Sequence, residues 1–245
     1  MHTRLEQTLI VLPAYNEEET VAAVLAEVFA VLPGVQVLVV DDGSEDSTAD
    51  VARRAGAHVA RLPFNLGVGG AMRVGFRYAV ENGFANVVQV DADGQHDPAG
   101  VHSLVEALTD ADVVLGARFA GEGDYQARGP RRWAMVVLAG IISRLAKTPL
   151  TDTTSGFRAS GPRAVRLFAD HYPAEYLGDT IESLVIAARS GCTVKQIPVA
   201  MRPRAGGVPS HDSFKAAAYL GRASMALVVA LMRPRIALIS QEPKL

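Results

Sequence analysis

Short apolar runs alternate with longer amphipathic segments over the first 117 residues of the chain. The apolar runs are nearly continuous in Val, Leu and Ile, which is typical of strands that are buried on both faces of a mostly parallel sheet. The predicted strands are residues 8–15, 35–44, 58–62, 86–93 and 112–118, and the predicted helices between them are 17–32, 47–55 and 67–82, with a fourth that starts at residues 97–98. This alternation predicts an α/β fold with helices on both faces of the sheet.

Local signals predict how these helices begin. Glu17 opens the first helix and gives it an acidic first turn, which the helix dipole favours. Ser47 is expected to cap the second helix, and Asp97 is expected to cap the fourth, with Pro98 in its first turn.

The second half of the chain is less regular. Helical patterns occupy residues 131–147, 162–169, 180–190 and 214–232, and a strand pattern occupies 193–199. Because no repeat or linker interrupts the chain, we expect one domain over residues 1–245, made of a front half (1–117), a second half (118–212) and a basic helical tail (213–245).

Composition agrees with a globular protein. The 245 residues are 49% hydrophobic and 20% charged, and the single cysteine, Cys192, rules out an intramolecular disulfide framework. No apolar run reaches the ~20 residues of a membrane-spanning helix, and the first residues resemble neither a signal peptide nor a span. We therefore expect a cytoplasmic protein.

The charges are unevenly distributed along the chain. Residues 1–112 carry 6 Lys/Arg against 17 Asp/Glu, whereas residues 118–166 carry 9 against 3 and residues 200–245 carry 7 against 2. An acidic front and a basic back suggest different ligands, such as a metal in one and phosphate or a membrane surface in the other. Uneven surface charge without a ligand is the alternative.

Polar side chains follow three of the predicted strands. The stretches are residues 15–17, residues 41–44, and the pair Asp91 and Asp93. Because the carboxyl ends of parallel strands share one edge, these acidic groups converge and their repulsion must be offset. A hard cation such as Mg²⁺ does so with one or two carboxylates and substrate phosphates. Solvated aspartates at turns are the alternative.

A cation that bridges phosphates implies a nucleotide. Asp41 or Asp42 could accept a hydrogen bond from a base or a ribose, and Pro13 and Tyr15 could pack against the base. The glycine-rich stretch at residues 65–75 would let an anion approach a helix N-terminus, although a tight strand-to-helix turn explains those glycines equally well.

Six motifs in this order resemble the family 2 glycosyltransferases of Rossmann-like GT-A fold, in particular the dolichol- and polyprenyl-phosphate mannose synthases. They are VLPAYNEEET, VLVVDDGSEDST, NLGVGGAMRVG, VDADGQHDP, GAR and DTTSGFRA. The resemblance covers roughly residues 8–200 and implies inverting transfer of a hexose from a GDP- or UDP-sugar with Mg²⁺ or Mn²⁺. Residues 1–117 would then bind the nucleotide-sugar, and residues 118–212 the acceptor.

The resemblance also implies site residues. Those expected at the nucleotide-sugar are Pro13, Ala14, Tyr15, Asn16, Glu17, Asp41, Asp42, Asn65, Gly69, Asp91, Ala92 and Asp93. The expected metal site is Asp91, Asp93 and Gln95. The expected catalytic residues are Asp152, Arg118 and Arg158.

Arginines match phosphate geometry, and a lipid-phosphate acceptor needs no strong base because its oxygen is already ionised. The expected acceptor-phosphate ligands are Arg118, Arg131, Arg132 and Arg202, with Arg204 as an alternative to Arg202. If a base is needed, Asp152 and Asp179 are candidates, although Asp179 and Glu182 could simply cap or decorate a helix. His96 and His211 are weaker candidates for metal ligands.

The helix at 131–147 has one apolar face and an opposite basic face with Trp133 at the border, which fits the cytoplasmic surface of an anionic membrane as well as packing on the sheet. The same donor chemistry with a soluble or glycan acceptor is one alternative function. A non-catalytic nucleotide-binding scaffold for a membrane partner is another. A sugar nucleotidyltransferase would need a basic, glycine-rich N-terminal loop, which the acidic segment LPAYNEEET does not supply. No nucleic acid partner is expected.

Overall fold

The computed structural model describes residues 4–118, 130–174, 179–200 and 202. Seven strands form one sheet: β1 (Thr8–Ala14), β2 (Gln36–Asp41), β3 (His58–Arg61), β4 (Asn86–Gln89), β5 (Val113–Arg118), β6 (Arg158–Ser160) and β7 (Val194–Val199). The helices are α1 (Val21–Val31), α2 (Thr48–Arg54), α3 (Gly67–Glu81), α4 (Gly100–Ala107), α5 (Pro130–Ala146), α6 (Pro162–His171) and α7 (Asp179–Arg189). The predicted helix at 214–232 and the tail lie outside the described residues.

The sheet order is β3-β2-β1-β4-β6-β5-β7. Strand β6 runs antiparallel to both β4 and β5, and every other pairing is parallel. The prediction of a mostly parallel sheet is therefore confirmed. The three-residue strand β6 was missed, because so short a run carries no recognisable period.

Each strand buries side chains on both faces of the sheet. In β1, Leu9 and Val11 belong to the core cluster that includes α3, α5, α6 and α7, whereas Ile10 and Leu12 belong to the cluster that includes α1, α2 and α4. The two helix layers follow from the alternating direction of successive side chains in a strand, and the near-continuous apolar runs of the sequence are explained by these two cores.

The predicted starts of α1 and α4 were wrong, whereas that of α2 was right in position but not in its expected capping hydrogen bond. Helix α1 begins at Val21, so Glu17 precedes its first turn. Ser47 occupies the N-cap position of α2 but its side chain makes no capping hydrogen bond. Helix α4 begins at Gly100 rather than at Pro98, because Asp97 instead accepts the backbone N–H of Ala99 in the preceding turn at 3.0 Å.

Candidate functional site

A cleft of about 330 Å³ lies at the carboxyl ends of β1, β2 and β4. The loops that follow these strands form it together with the N-terminal turns of α3 and α7. Its lining is Pro13, Ala14, Tyr15, Glu17, Asp42, Val68, Ala71, Gln89, Asp91, Ala92, Asp93, Thr154, Gly156, Asp179 and Thr180. The three polar strand ends thus converge on one edge, as the sequence predicts.

Eight of the twelve residues expected at the nucleotide-sugar line this cleft. The four that do not line it are Asn16, Asp41, Asn65 and Gly69. Each of these four has a contact that explains its position in the fold.

The two neighbouring aspartates after β2 point to different partners. Asp41 is buried away from the cleft, where its Oδ1 accepts the backbone N–H of Ser44 at 2.9 Å and its Oδ2 lies 3.3 Å from Nε of Arg61. Asp42 lines the cleft and accepts the backbone N–H groups of Leu66 and Gly67, both at 2.7 Å, so it caps α3. Of the two, Asp42 is the one placed to meet a ligand.

Burial raises the pKa of Asp42, and the charge of Asp41 adds to this, while the two backbone hydrogen bonds oppose it. Asn65 belongs to the same turn, since its Oδ1 accepts the Gly67 N–H at 3.0 Å. The carboxylate therefore builds the turn as well as facing the cleft.

Side chains join the loops that follow β1 and β2. The backbone N–H of Asn16 donates to Ser44 Oγ at 2.9 Å, and Asn16 Oδ1 accepts the Glu45 N–H at 2.9 Å. The N–H of Glu17 donates to Thr48 Oγ1 at 2.8 Å. These bonds hold Tyr15, which is 43% exposed, at the mouth of the cleft.

Asp91 is held from several sides. Gln89 Nε2 donates to its Oδ1 at 3.1 Å, and His96 Nε2 lies 3.5 Å from its Oδ2. The backbone of Gly156 packs so closely that a Cβ there would lie 3.1 Å from Asp91 Oδ2. Asp91 consequently presents its carboxylate in a defined orientation.

The chain after β4 also folds Asp93 and Gln95 into one turn. The Gln95 N–H donates to Asp93 Oδ1 at 3.0 Å, and Asp93 lines the cleft while Gln95 does not. Among the described residues, no three His, Cys, Asp or Glu side chains gather in a way that could hold a metal ion by themselves. Two carboxylates suit Mg²⁺ when substrate phosphates and water complete the octahedron.

Gly69 allows close packing between α3 and the chain around Pro173 and Asp179. A Cβ at this position would lie 2.2 Å from the Pro173 carbonyl oxygen and 3.1 Å from Asp179 Cβ. Gly69 therefore permits α3 to approach the segment that leads to α7, which was not the role that we expected for it.

The two second-half residues expected to be catalytic whose side chains are described lie outside the cleft lining. Asp152 Oδ1 accepts the N–H of Thr154 at 3.1 Å and its hydroxyl at 3.0 Å, and so shapes the turn that brings Thr154 to the cleft. Arg158 is buried, and its guanidinium donates to backbone carbonyls of Ser155, Thr153 and Thr180. Both positions support the shape of the site.

The predicted phosphate ligands are spread over three elements. Arg118 ends β5, and Arg131 and Arg132 lie in the first turn of α5; their side chains fall outside the described part of the structure, as do Arg204 and His211. Arg202 Nη1 contacts Glu27 Oε1 at 2.6 Å and its Nη2 lies 3.3 Å from Asp97 Oδ1, while its N–H donates to the Gln95 carbonyl. It ties the chain after β7 to the turn after β4.

Sequence patterns did not single out several lining residues. Gln89 is the last residue of β4 and Thr180 lies in the first turn of α7. Thr154 and Gly156 line the cleft because β6 pairs with β4 and brings the DTTSG segment beside it. The polar character of that segment was the available signal, but its position depends on the strand order.

The sequence is similar to those of known glycosyltransferases. The model of the family described as "Glycosyl transferase family 2" matches residues 9–170. An undecaprenyl-phosphate mannosyltransferase from Micrococcus luteus is 32% identical over 201 residues, which are 79% of this chain and 82% of that protein. A dolichyl-phosphate hexose transferase from Haloferax volcanii is 28% identical, over 87% of this chain and 90% of that protein.

Solved structures share the fold. Glucosyl-3-phosphoglycerate synthase from Mycobacterium tuberculosis, in complex with Mn²⁺, UDP and phosphoglyceric acid, superposes with a TM-score of 0.70 at 21% identity, and the match covers 93% of this chain and 79% of that one. The predicted α/β fold with a mostly parallel sheet is confirmed by this likeness, and the basic helical tail stays a prediction.

Proposed function

The chain belongs to glycosyl transferase family 2, and from this premise we propose that it transfers a hexose, with inversion, from a nucleoside-diphosphate sugar to a polyprenyl phosphate. The observation that carries the proposal is the convergence of Tyr15, Asp42, Asp91 and Asp93 on one cleft at the carboxyl edge of a parallel sheet. Ligands of open α/β sheets bind at this edge. Relatives that act on undecaprenyl or dolichyl phosphate support the acceptor class.

The cleft offers separate surfaces for the parts of such a donor. Exposed Tyr15 provides a ring for a base at the mouth, and Asp42 provides acceptor oxygens for base or ribose N–H and O–H groups. Both residues suit guanine as well as uracil, so the binding experiment below uses GDP and UDP.

Asp91 and Asp93 would hold Mg²⁺ or Mn²⁺, because two convergent carboxylates fit a hard cation that takes its other ligands from a diphosphate. A bound divalent cation neutralises charge that develops on a departing nucleoside diphosphate. Gln89, Gly156 and His96 keep the Asp91 carboxylate turned for this purpose.

The acceptor phosphate would be held by Arg118, Arg131 and Arg132, which belong to the end of β5 and the first turn of α5. A phosphate oxygen is ionised at neutral pH, so the attack needs orientation more than a base. Arg158 and Asp152 act as positioning residues in this scheme, since they hold the loop that carries Thr154 and Gly156.

A polyprenyl chain is insoluble in water, so we propose that the enzyme works at the membrane surface. No helix within the described residues is long and apolar enough to cross a bilayer. Contact through a basic protein surface is a route to an anionic membrane that requires no spanning helix.

Calorimetric titration tests the donor site. We expect GDP or UDP to bind in the presence of Mn²⁺, and we expect binding to weaken by more than tenfold with EDTA or in Asp93→Ala, because the diphosphate loses its anchoring cation. Asp110→Ala, which removes an exposed carboxylate on another edge of the molecule, serves as the control.

Transfer is then measured with detergent-dispersed polyprenyl phosphate and with a soluble phosphate acceptor. Sugar transfer to the lipid alone supports the proposal. Transfer to the soluble acceptor alone would replace the lipid with a soluble substrate, and failure of both nucleotides to bind with Mn²⁺ would favour a scaffold.

A further inference from the structure

Asp179 is the first residue of α7 and lines the cleft opposite the strand ends. Its position is fixed by packing against α3, since a Cβ at Gly69 would lie 3.1 Å from the Cβ of Asp179. A side chain larger than hydrogen at position 69 would therefore press against Asp179.

One carboxyl oxygen of Asp179 lacks a hydrogen-bond partner. Its Oδ2 is buried, and no atom of the described residues donates a hydrogen bond to it. An unpaired buried polar atom is destabilising by about 1–3 kcal/mol. Its retention at the wall of a ligand cleft is explained if a ligand supplies the missing partner.

The position of Asp179 within the cleft indicates which part of the ligand it meets. The sheet order β2-β1-β4-β6 places Asp42 and Tyr15 at one end, Asp91 and Asp93 in the middle, and the β6 side beyond them. A nucleotide at the first position and a diphosphate at the second would carry the sugar towards Gly156 and Asp179. This step rests on the function proposed above.

We propose that the carboxyl group of Asp179 forms a hydrogen bond with a hydroxyl group of the transferred sugar and thereby contributes to the choice of donor sugar. Two further residues that can form hydrogen bonds, Thr154 and Thr180, also line the cleft. A sugar is recognised by such hydroxyl contacts, and a missing partner in a buried polar site is strongly rejected.

Burial disfavours the charged form of the Asp179 carboxyl group. Burial raises the pKa of Asp179, and the negative charge of Asp91 acts in the same direction, against the opposing effect of Arg158 and of backbone N–H groups at the start of α7. A carboxyl group accepts hydrogen bonds in either protonation state, so its unpaired oxygen can accept one from a sugar hydroxyl.

The test compares each sugar nucleotide with its own nucleotide. Titration calorimetry with Mn²⁺ uses GDP-mannose against GDP and UDP-glucose against UDP, on the wild type and on Asp179→Leu and Asp179→Asn. We expect Asp179→Leu to lower the affinity for the sugar nucleotide that the wild type prefers by roughly tenfold to a hundredfold and to leave the affinity for the nucleotide unchanged. Asp179→Asn should lose less, because an amide still donates and accepts.

Asp170→Leu, at an exposed position near the end of α6, is the matched control, and thermal unfolding shows that each variant is folded. Equal losses for sugar nucleotide and nucleotide, or no loss for either, would overturn the inference while leaving the donor site intact. If the wild type bound neither nucleotide, the proposed function itself would fail, which is a different result.

Discussion

At the scale of single residues, His96 makes two contacts with the same aspartate. The backbone N–H of Asp91 donates to His96 Nδ1 at 3.0 Å, so Nδ1 is an acceptor and the ring proton sits on Nε2, which faces Asp91 Oδ2 at 3.5 Å. The buried ring stacks on Phe157 with centroids 4.7 Å apart and planes 15° from parallel. His96 therefore fixes both the backbone and the carboxylate of a proposed metal ligand.

We predict that His96→Phe weakens Mn²⁺ binding in the presence of the nucleotide about 10- to 100-fold, as is typical when the hydrogen-bond partner of a metal ligand is removed. The phenyl ring keeps the stacking on Phe157 and loses both nitrogen contacts. Mn²⁺ affinity is measured by electron paramagnetic resonance, with unfolding temperature as the check on folding.

The exposed His102 on α4 provides the control variant His102→Phe, which should leave the metal affinity as it is. An unchanged Mn²⁺ affinity in His96→Phe would show that the histidine only fills space beside Phe157.

Residue chemistry at the strand ends could be predicted from the sequence, since Tyr15, Asp42 and Asp91 follow apolar strands and occupy the cleft. The hydrogen-bond and ion-pair partners of a residue could not be predicted from the sequence. Asp41 and Asp42 are identical in type, and only the fold turns one towards Arg61 and the other towards the cleft. The resemblance likewise implied a catalytic role for Arg158, whereas its backbone partners are carbonyl groups of Thr153 and Thr180, which the fold brings together.

At the scale of secondary structure, two helices contain a glycine whose surroundings differ sharply. Gly75 of α3 is buried against β1, and a Cβ there would lie 2.6 Å from Val11 Cγ1. Gly140 of α5 is exposed, and a Cβ there would meet nothing within 4 Å. Alanine is a better helix former than glycine at both positions by about 1 kcal/mol.

We predict opposite outcomes for the two alanine substitutions. Gly140→Ala should raise the free energy of unfolding by about 0.5–1 kcal/mol, through helix propensity alone. Gly75→Ala should lower it by about 1–3 kcal/mol, because the added methyl group pushes α3 away from β1. Urea denaturation followed by circular dichroism measures both, and stabilisation by Gly75→Ala would contradict the packing described here.

Element type was predictable wherever a long apolar period existed, as for α3, which begins at the predicted residue 67. The ends of helices and strands were not predictable, because a polar side chain near a helix start can bond to the helix or to a neighbouring turn. Asp97 caps a turn ahead of α4, and the strand predicted over 86–93 ends at Gln89, before the two aspartates. Strand β6 could not be predicted, since its three residues form a strand only by pairing with β4 and β5.

At the scale of the whole molecule, the charge asymmetry of the sequence becomes an asymmetry between the two helix layers. The layer of α3, α5, α6 and α7 contains eight arginines and four acidic residues, of which Asp179 faces the cleft and Glu182 is buried. The layer of α1, α2 and α4 contains two arginines and three acidic residues. The strand order decides this division, and no pattern in the sequence reveals that order.

The basic layer also supplies Val68, Ala71 and the start of α7 to the cleft, so a membrane that contacts this layer would bring lipid phosphates towards the site.

We predict that the protein sediments with vesicles containing phosphatidylglycerol more than with phosphatidylcholine vesicles, and that salt weakens this binding. The double variant Arg77→Glu/Arg166→Glu, on exposed positions of α3 and α6, should weaken it by more than tenfold, since each basic residue near an anionic surface contributes about 1 kcal/mol. Arg53→Glu/Arg54→Glu makes the same charge change on α2 of the other layer and should have a small effect. Equal losses for the two double variants would mean that net charge, rather than this face, directs the protein to the membrane.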